Sequence, residues 1–289
     1  MTGSGDGTGS GLRTLPVPAG RAPLATRGGL VVHGAHRLGD LVRRRPAGIT
    51  GNQWGSAIRE SYDLVVADAD GRLQLAAEIG PEPGAGQRAE RTKTAVAGAA
   101  GLPVLRIGSA TLTAAEHGRT VVGYVLDAAA YAERVAGIEP GDDPPVGFRD
   151  IPGRLPDGRT GPVNDLGALA RAGAVEAYVE GRLVDPILRG LHVRWTGGPA
   201  EGWAWVEVRP GGFLVERVTV AEHRFSAGLD PARFAEDLAA LAVGARLRTP
   251  EPGGPTLVDR AVLRTRIRGL AARRDEMVAG FAFDHLCAD

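Results

Sequence analysis

Cysteine is all but absent from this sequence: the only one among 289 residues is Cys287. A disulfide framework, a CxxC redox motif and a cysteine-based zinc site are thereby excluded. Long apolar runs are missing too. None approaches the roughly 20 residues of a membrane helix, and residues 1–12 lack the basic start and apolar stretch of a signal peptide. The expectation is a cytoplasmic chain with no membrane partner. Net charge is also lacking, with 34 basic residues against 34 acidic ones, so no global positive field exists to hold a polyanion. Local contacts to a few phosphates remain open. No GxSxG, GxxxxGK[ST] or HExxH pattern occurs, which argues against a hydrolase elbow, a nucleotide P-loop and a zincin. Lysine is the scarcest charge: the basic residues are arginines except for Lys93.

What is present is the balance of a globular protein, 43% hydrophobic and 24% charged. The length favours two compact domains over one. Residues 1–28 read as a tail. Residues 29–136 read as a first domain, opening with an apolar strand at Leu30, Val31 and Val32. A helix over 37–45 follows, with Leu38, Leu41 and Val42 at helical spacing. Residues 62–67 and 73–79 are β-rich and flank Asp68-Ala69-Asp70-Gly71, so they predict a hairpin in which Asp68 and Asp70 are turn residues. A helix over 87–100 ends at Gly101, and a strand over 102–107 follows. Thr113 and Glu116 have capping-box spacing before a helix to about residue 135. Residues 137–162, dense in Pro, Gly and Asp, read as a linker.

Residues 163–289 read as an α+β accessory domain. Strands are expected over 191–195, 203–208 and 213–220. One helix starts at Pro231, and another starts at Leu257 with Leu263, Ile267, Leu270, Met277 and Phe281 on its apolar stripe. Trp203 and Trp205 alternate onto one strand face and should pack this domain's core. Arg264, Arg266, Arg268, Arg273 and Arg274 form the densest basic stretch, read first as a solvated helix face and more sharply as a nucleic-acid contact.

Chemistry concentrates in the first domain. The hairpin register places Asp63 across from Glu78 or diagonal to it, on the same face. Ala89, Lys93, Val96 and Ala100 form the stripe expected to pack on a sheet, so Lys93 points inward and needs carboxylate partners. Hydrolysing a phosphodiester requires charge neutralisation on the phosphoryl group and an activated water, which carboxylates holding Mg²⁺ plus a lysine supply. His33 and His36, spaced i, i+3 without a third ligand, read as ordinary histidines, as does His285.

The ordered pattern Glu60-Ser61-Tyr62-Asp63, Ala77-Glu78-Ile79, Gln87 to Lys93 and Gly101-Leu102-Pro103-Val104-Leu105-Arg106 resembles the very-short-patch-repair-like branch of the PD-(D/E)XK nuclease superfamily. The resemblance covers about a fifth of the chain. It implies an α/β fold, a restriction-endonuclease-like mixed sheet core with flanking helices, and metal-dependent cleavage of nucleic acid, DNA in preference to RNA. By the same resemblance Asp63 and Glu78 ligate Mg²⁺ or Mn²⁺ with the Ile79 carbonyl as a third ligand. Lys93 stands for a catalytic lysine migrated onto the helix, Gln87 orients water or phosphate, and Arg88 and Arg91 contact substrate. Glu60 is the upstream acidic residue of the preceding helix. Gly80 departs from the pattern, since a lysine or second carboxylate is usual there. The alternative is a nuclease fold without catalysis, serving as a binding or assembly module for a partner protein.

Overall fold

The computed structural model describes residues 11–15, 23–82, 88–137, 146–155, 158–249 and 255–278. These are mixed α/β, with seven α-helices and a large mixed sheet. The elements run β1 (Ala25–Arg27), β2 (Leu30–His33), β3 (His36–Arg37), α1 (Leu38–Leu41), α2 (Gly51–Ala57), β4 (Ser61–Tyr62), β5 (Leu64–Ala67), β6 (Leu73–Gly80), α3 (Arg88–Ala100), β7 (Val104–Ser109) and α4 (Ala114–Ala136). They continue with β8 (Pro152–Arg154), β9 (Thr160–Pro162), α5 (Ala168–Val179), β10 (Arg189–Arg194), β11 (Ala200–Arg209), β12 (Gly212–His223), α6 (Pro231–Arg248), β13 (Val258–Asp259) and α7 (Arg260–Ala271). Among the described residues no helix is long and apolar enough to cross a membrane. Contacts gather the chain into two compact units. The first comprises Met1–Glu78, Pro83–Leu105 and Glu222–Ser226; the second comprises Ile79–Glu82, Arg106–Ala221 and Ala227–Asp289.

In the first unit, β5 and β6 form the expected hairpin, antiparallel with Leu64 opposite Ala77 and Val65 opposite Ala76. Its turn is built by side chains: Asp68 Oδ1 accepts from the amides of Asp70 and Arg72, each at 2.9 Å. Gly71 takes φ +77°, and a Cβ there would overlap the Leu15 carbonyl, so the position is restricted to glycine. Strands follow the order β1-β2-β5-β6. Helix α3 lays Val96 and Ala97 into the core formed by Tyr62, Val65, Ala67 and Ala76. It ends where Gly101 turns left-handed at φ +76° and Leu102 N–H reaches back to the Ala97 carbonyl.

The helix expected over 37–45 shrinks to the single turn α1. Leu38 and Leu41 are buried as their spacing requires, but Val42 goes extended and bridges Leu12. Arg43-Arg44-Arg45-Pro46 follows, and the residue before a proline avoids the helical region.

The second unit packs helices on β10, β11 and β12, an antiparallel ladder with Leu191 opposite Trp203 and Trp203 opposite Arg217. Alternation sorts the two faces by size. Gly190, Gly202 and Ala204 face α6 so closely that a Cβ on Gly202 would overlap the Ala235 backbone. On the other face Trp203, Trp205, Leu191, Val193 and Phe213 pack under Leu263 and Leu270 of α7, so the two tryptophans fill the core as expected. The α6 stripe buries Phe234 and Leu238, each worth about 1.5–3 kcal/mol relative to exposure. Asp230 caps α6 by accepting from Ala232 and Arg233, with Pro231 in its first turn. Thr113 caps α4 through the Glu116 amide.

The last helix is shorter than its apolar stripe suggests. It stops at Ala271, and Met277 reaches the same core from beyond it through a β-bridge to Trp195. Phe281 lies outside the described residues.

Candidate active site

The first unit brings Glu78 and Lys93 together. Lys93 stands on the α3 face that also carries Val96 and Ala97, and its side chain is only 3% exposed. A buried ammonium is costly unless paired and hydrogen-bonded. It donates to Glu78 Oε1 and to the Ser61 carbonyl, and sits 4.2 Å from the Tyr62 ring centroid. Glu78, 17% exposed, is the wetter end of the pair. Tyr62 is fully buried, so the lysine is held between one carboxylate, one backbone carbonyl and one aromatic face.

Asp63 sits just before the β5–β6 ladder, whose register, continued from Leu64 opposite Ala77, would set it across from Glu78. Leu64 pairs with Ala77, yet the Asp63 amide also donates to the Ala77 carbonyl at 3.0 Å. Asp63 itself is a bend between Tyr62, which pairs with His36, and β5, and the register shift of the β5–β6 ladder falls between Val66 and Ala67. β5 starts at Leu64, Tyr62 joins the core that Val96 and Ala97 of α3 enter, and Asp63 is exposed at the bend. Ile79 is buried next along β6, and a Cβ at Gly80 would meet nothing within 4 Å, so that position is open. Arg88 and Arg91 are exposed on the first turns of α3, and Gln87 lies outside the described residues. Glu60 follows α2 instead of standing on it, its carbonyl accepting from Leu38 N–H.

Among the described residues no three His, Cys, Asp or Glu side chains are grouped to hold a metal. His33 and His36 meet edge to face with ring centroids 5.9 Å apart. Burial first, and His36 second, hold His33 below its ordinary pKa. A hollow of about 860 Å³ in this unit, lined by Arg13, His36, Asp40 and Arg43 among others, does not include Glu78 or Lys93 among its lining residues.

Two charged clusters of the second unit were not expected from sequence. Glu201 is buried on the tryptophan face of the sheet, where it accepts from Trp203 Nε1 at 2.6 Å, Trp195 Nε1 at 3.2 Å and Arg217 Nε at 2.9 Å. Burial pushes its pKa up, but Arg217 and the two indoles more than offset this and hold it below the usual range. The signal was available: residues 201, 203 and 205 share one strand face, so a carboxylate stood in an apolar row. The second cluster surrounds Asp237, whose Oδ1 accepts from Arg149 at 2.7 Å. Its Oδ2 and the Tyr124 hydroxyl are buried without a partner among the described residues. Burial pushes the Asp237 carboxyl up to about 7, against the pull of Arg149.

No protein-family model matches the chain, and neither a curated protein nor a solved structure matches it significantly, so the geometry above stands alone as the guide to function.

Proposed function

We propose that the first unit carries a restriction-endonuclease-like site for metal-dependent hydrolysis of phosphodiesters in nucleic acid. The observation that carries the reading is the buried Glu78–Lys93 pair, held at the end of a hairpin strand near the exposed bend at Asp63, whose amide donates to the Ala77 carbonyl. Two charges at a sheet end cost desolvation that an apolar pair would avoid, so the arrangement breaks a local rule where chemistry would need it broken.

The donors suit a hard divalent cation. Mg²⁺ takes one or two carboxylates and leaves its remaining positions to water and substrate phosphate, and Asp63 and Glu78 of the first unit are both oxygen donors. Held there, such a cation would supply charge neutralisation on the phosphoryl oxygens and a more acidic bound water. The chain's own groups do the rest. Lys93 fixes the Glu78 carboxylate by direct donation and adds a compact positive charge behind it. The Tyr62 ring and the Ser61 carbonyl keep the ammonium from swinging to solvent. Exposed Arg88 and Arg91 can take non-bridging phosphate oxygens.

A second reading, a nuclease fold without catalysis, is favoured by the saturation of Lys93 and by the glycine at position 80. One set of assays separates the two. Wild-type protein should cleave labelled duplex with Mg²⁺ or Mn²⁺ and not with EDTA, and Glu78→Gln should abolish cleavage without unfolding. If wild-type is inert but Gly80→Asp, which fits the open space, gains Mg²⁺ binding by calorimetry, the non-catalytic reading holds. Cleavage undiminished in Glu78→Gln would remove this site from the reaction.

A further inference from the structure

We infer that the solvent side of α7 is a docking surface for the phosphate backbone of duplex DNA. Residues 260–274 hold six arginines and no acidic residue in a chain whose charges cancel overall. Several arginines elsewhere in the second unit are seated on carboxylates: Arg149 on Asp237, Arg217 on Glu201, Arg246 on Glu216. Two of the six behave likewise, Arg260 with Glu207 and Arg273 with Glu276. Arg264, Arg266, Arg268 and Arg274 are exposed, and their guanidinium groups have no ion-pair or hydrogen-bond partner among the described residues. Arg264 and Arg268 are one turn apart on one face, a rise of about 6 Å, and Arg266 rounds the opposite shoulder. Like charges this close are mutually unfavourable, so an anion that neutralises them gains free energy.

The surroundings choose the partner. The apolar stripe of α7 is already spent on its own core through Leu263 and Leu270, leaving Val262 as its only exposed large hydrophobic residue. A helix without a free apolar face does not lie in a membrane interface. A specific protein interface needs an apolar centre, and the unit's other exposed large hydrophobics, Val175, Tyr178 and Val179 of α5 among them, belong to other elements. No aromatic residue occurs in α7 to stack on unpaired bases, which favours the duplex backbone over single strands. Binding should therefore be independent of sequence and steeply dependent on salt. The inference shares with the proposed function the expectation of a nucleic-acid ligand. Its test omits divalent metal so that docking and cleavage can fail separately.

The experiment is fluorescence anisotropy of a short labelled duplex with the full chain in EDTA across a NaCl series. It compares wild-type, the triple variant Arg264→Gln/Arg266→Gln/Arg268→Gln, and the same three positions changed to Lys. Wild-type should bind, the Gln variant should lose about tenfold or more at low salt, and its log K against log[salt] slope should shrink by about one per phosphate contact removed. The Lys variant, which keeps the charges, should retain most of the affinity. Absence of wild-type binding, equal binding by the Gln variant, or a Lys variant as weak as the Gln variant would each overturn the inference. So would binding of wild-type to phosphatidylserine vesicles but not to duplex. Circular dichroism melts establish that each variant is folded, as exposed helix positions should allow.

Discussion

Each unit holds a buried carboxylate–cation pair, and the two pairs are finished differently. Glu201 in the second unit accepts from two indoles and from both Nε and Nη2 of Arg217, so a neutral or cationic donor meets each oxygen. Glu78 in the first unit meets Lys93 at the wetter end of the pair, close along the hairpin to the outward-turned Asp63 and to the open position Gly80. The first arrangement consumes its charges in structure, as buried ion pairs do when every group is satisfied. The second leaves negative charge and space at a strand end. Similar chemistry thus serves packing in one region and, on the function proposed above, a ligand in the other.

Glycines sharpen the contrast most strongly. Gly202 lies against the α6 backbone, so Gly202→Ala should destabilise the second unit by about 3 kcal/mol or more, read by denaturant unfolding. Gly80 has no such neighbour, and an unaffected Gly202→Ala would mean that α6 does not pack as described.

Asp237 offers the next largest effect. Its folded pKa, about 7, lies above the ordinary carboxylate value, so the folded state keeps a proton that the unfolded chain releases. That stability is complete below the ordinary value and is lost progressively as pH rises from about 4 to about 7. Asp237→Asn should flatten this part of the Tm–pH curve. An unchanged slope would assign it to other groups.

Glu201 behaves with the opposite sign. Its pKa is depressed, so its contribution is present above the ordinary carboxylate range and is lost as pH falls through the lowered folded value. Glu201→Gln should cost about 1–2 kcal/mol at neutral pH and progressively less in acid. A deficit that persists unchanged in acid would break the comparison. The smallest effect belongs to Gly80→Asp, below about 0.5 kcal/mol by thermal melting, because nothing crowds the position.

Much of this architecture was legible beforehand, and the exceptions have physical causes. The hairpin turn, the inward side of α3 and the tryptophan face follow from Asp-Gly chemistry and from periods of 3.6 and 2. The register shift between Val66 and Ala67 does not, because residues 64–67 are buried on both faces and carry no alternation to fix the register. The stripe that includes Met277 has a helix's spacing, but a β-bridge delivers that side chain to the same core. The Glu201 cluster joins Trp195, Trp203 and Arg217, and only its shared strand face was local enough to read.

Lys93 tests the central claim most directly. An arginine keeps the charge but brings a broad, permanently protonated fork into a packed site in place of a compact ammonium. The account predicts that Lys93→Arg remains folded, with a stability loss within about 1–3 kcal/mol, while metal-dependent turnover per folded protein falls by about 100-fold or more. Full turnover in the folded Lys93→Arg variant would contradict it and leave the Glu78–Lys93 pair as a structural brace.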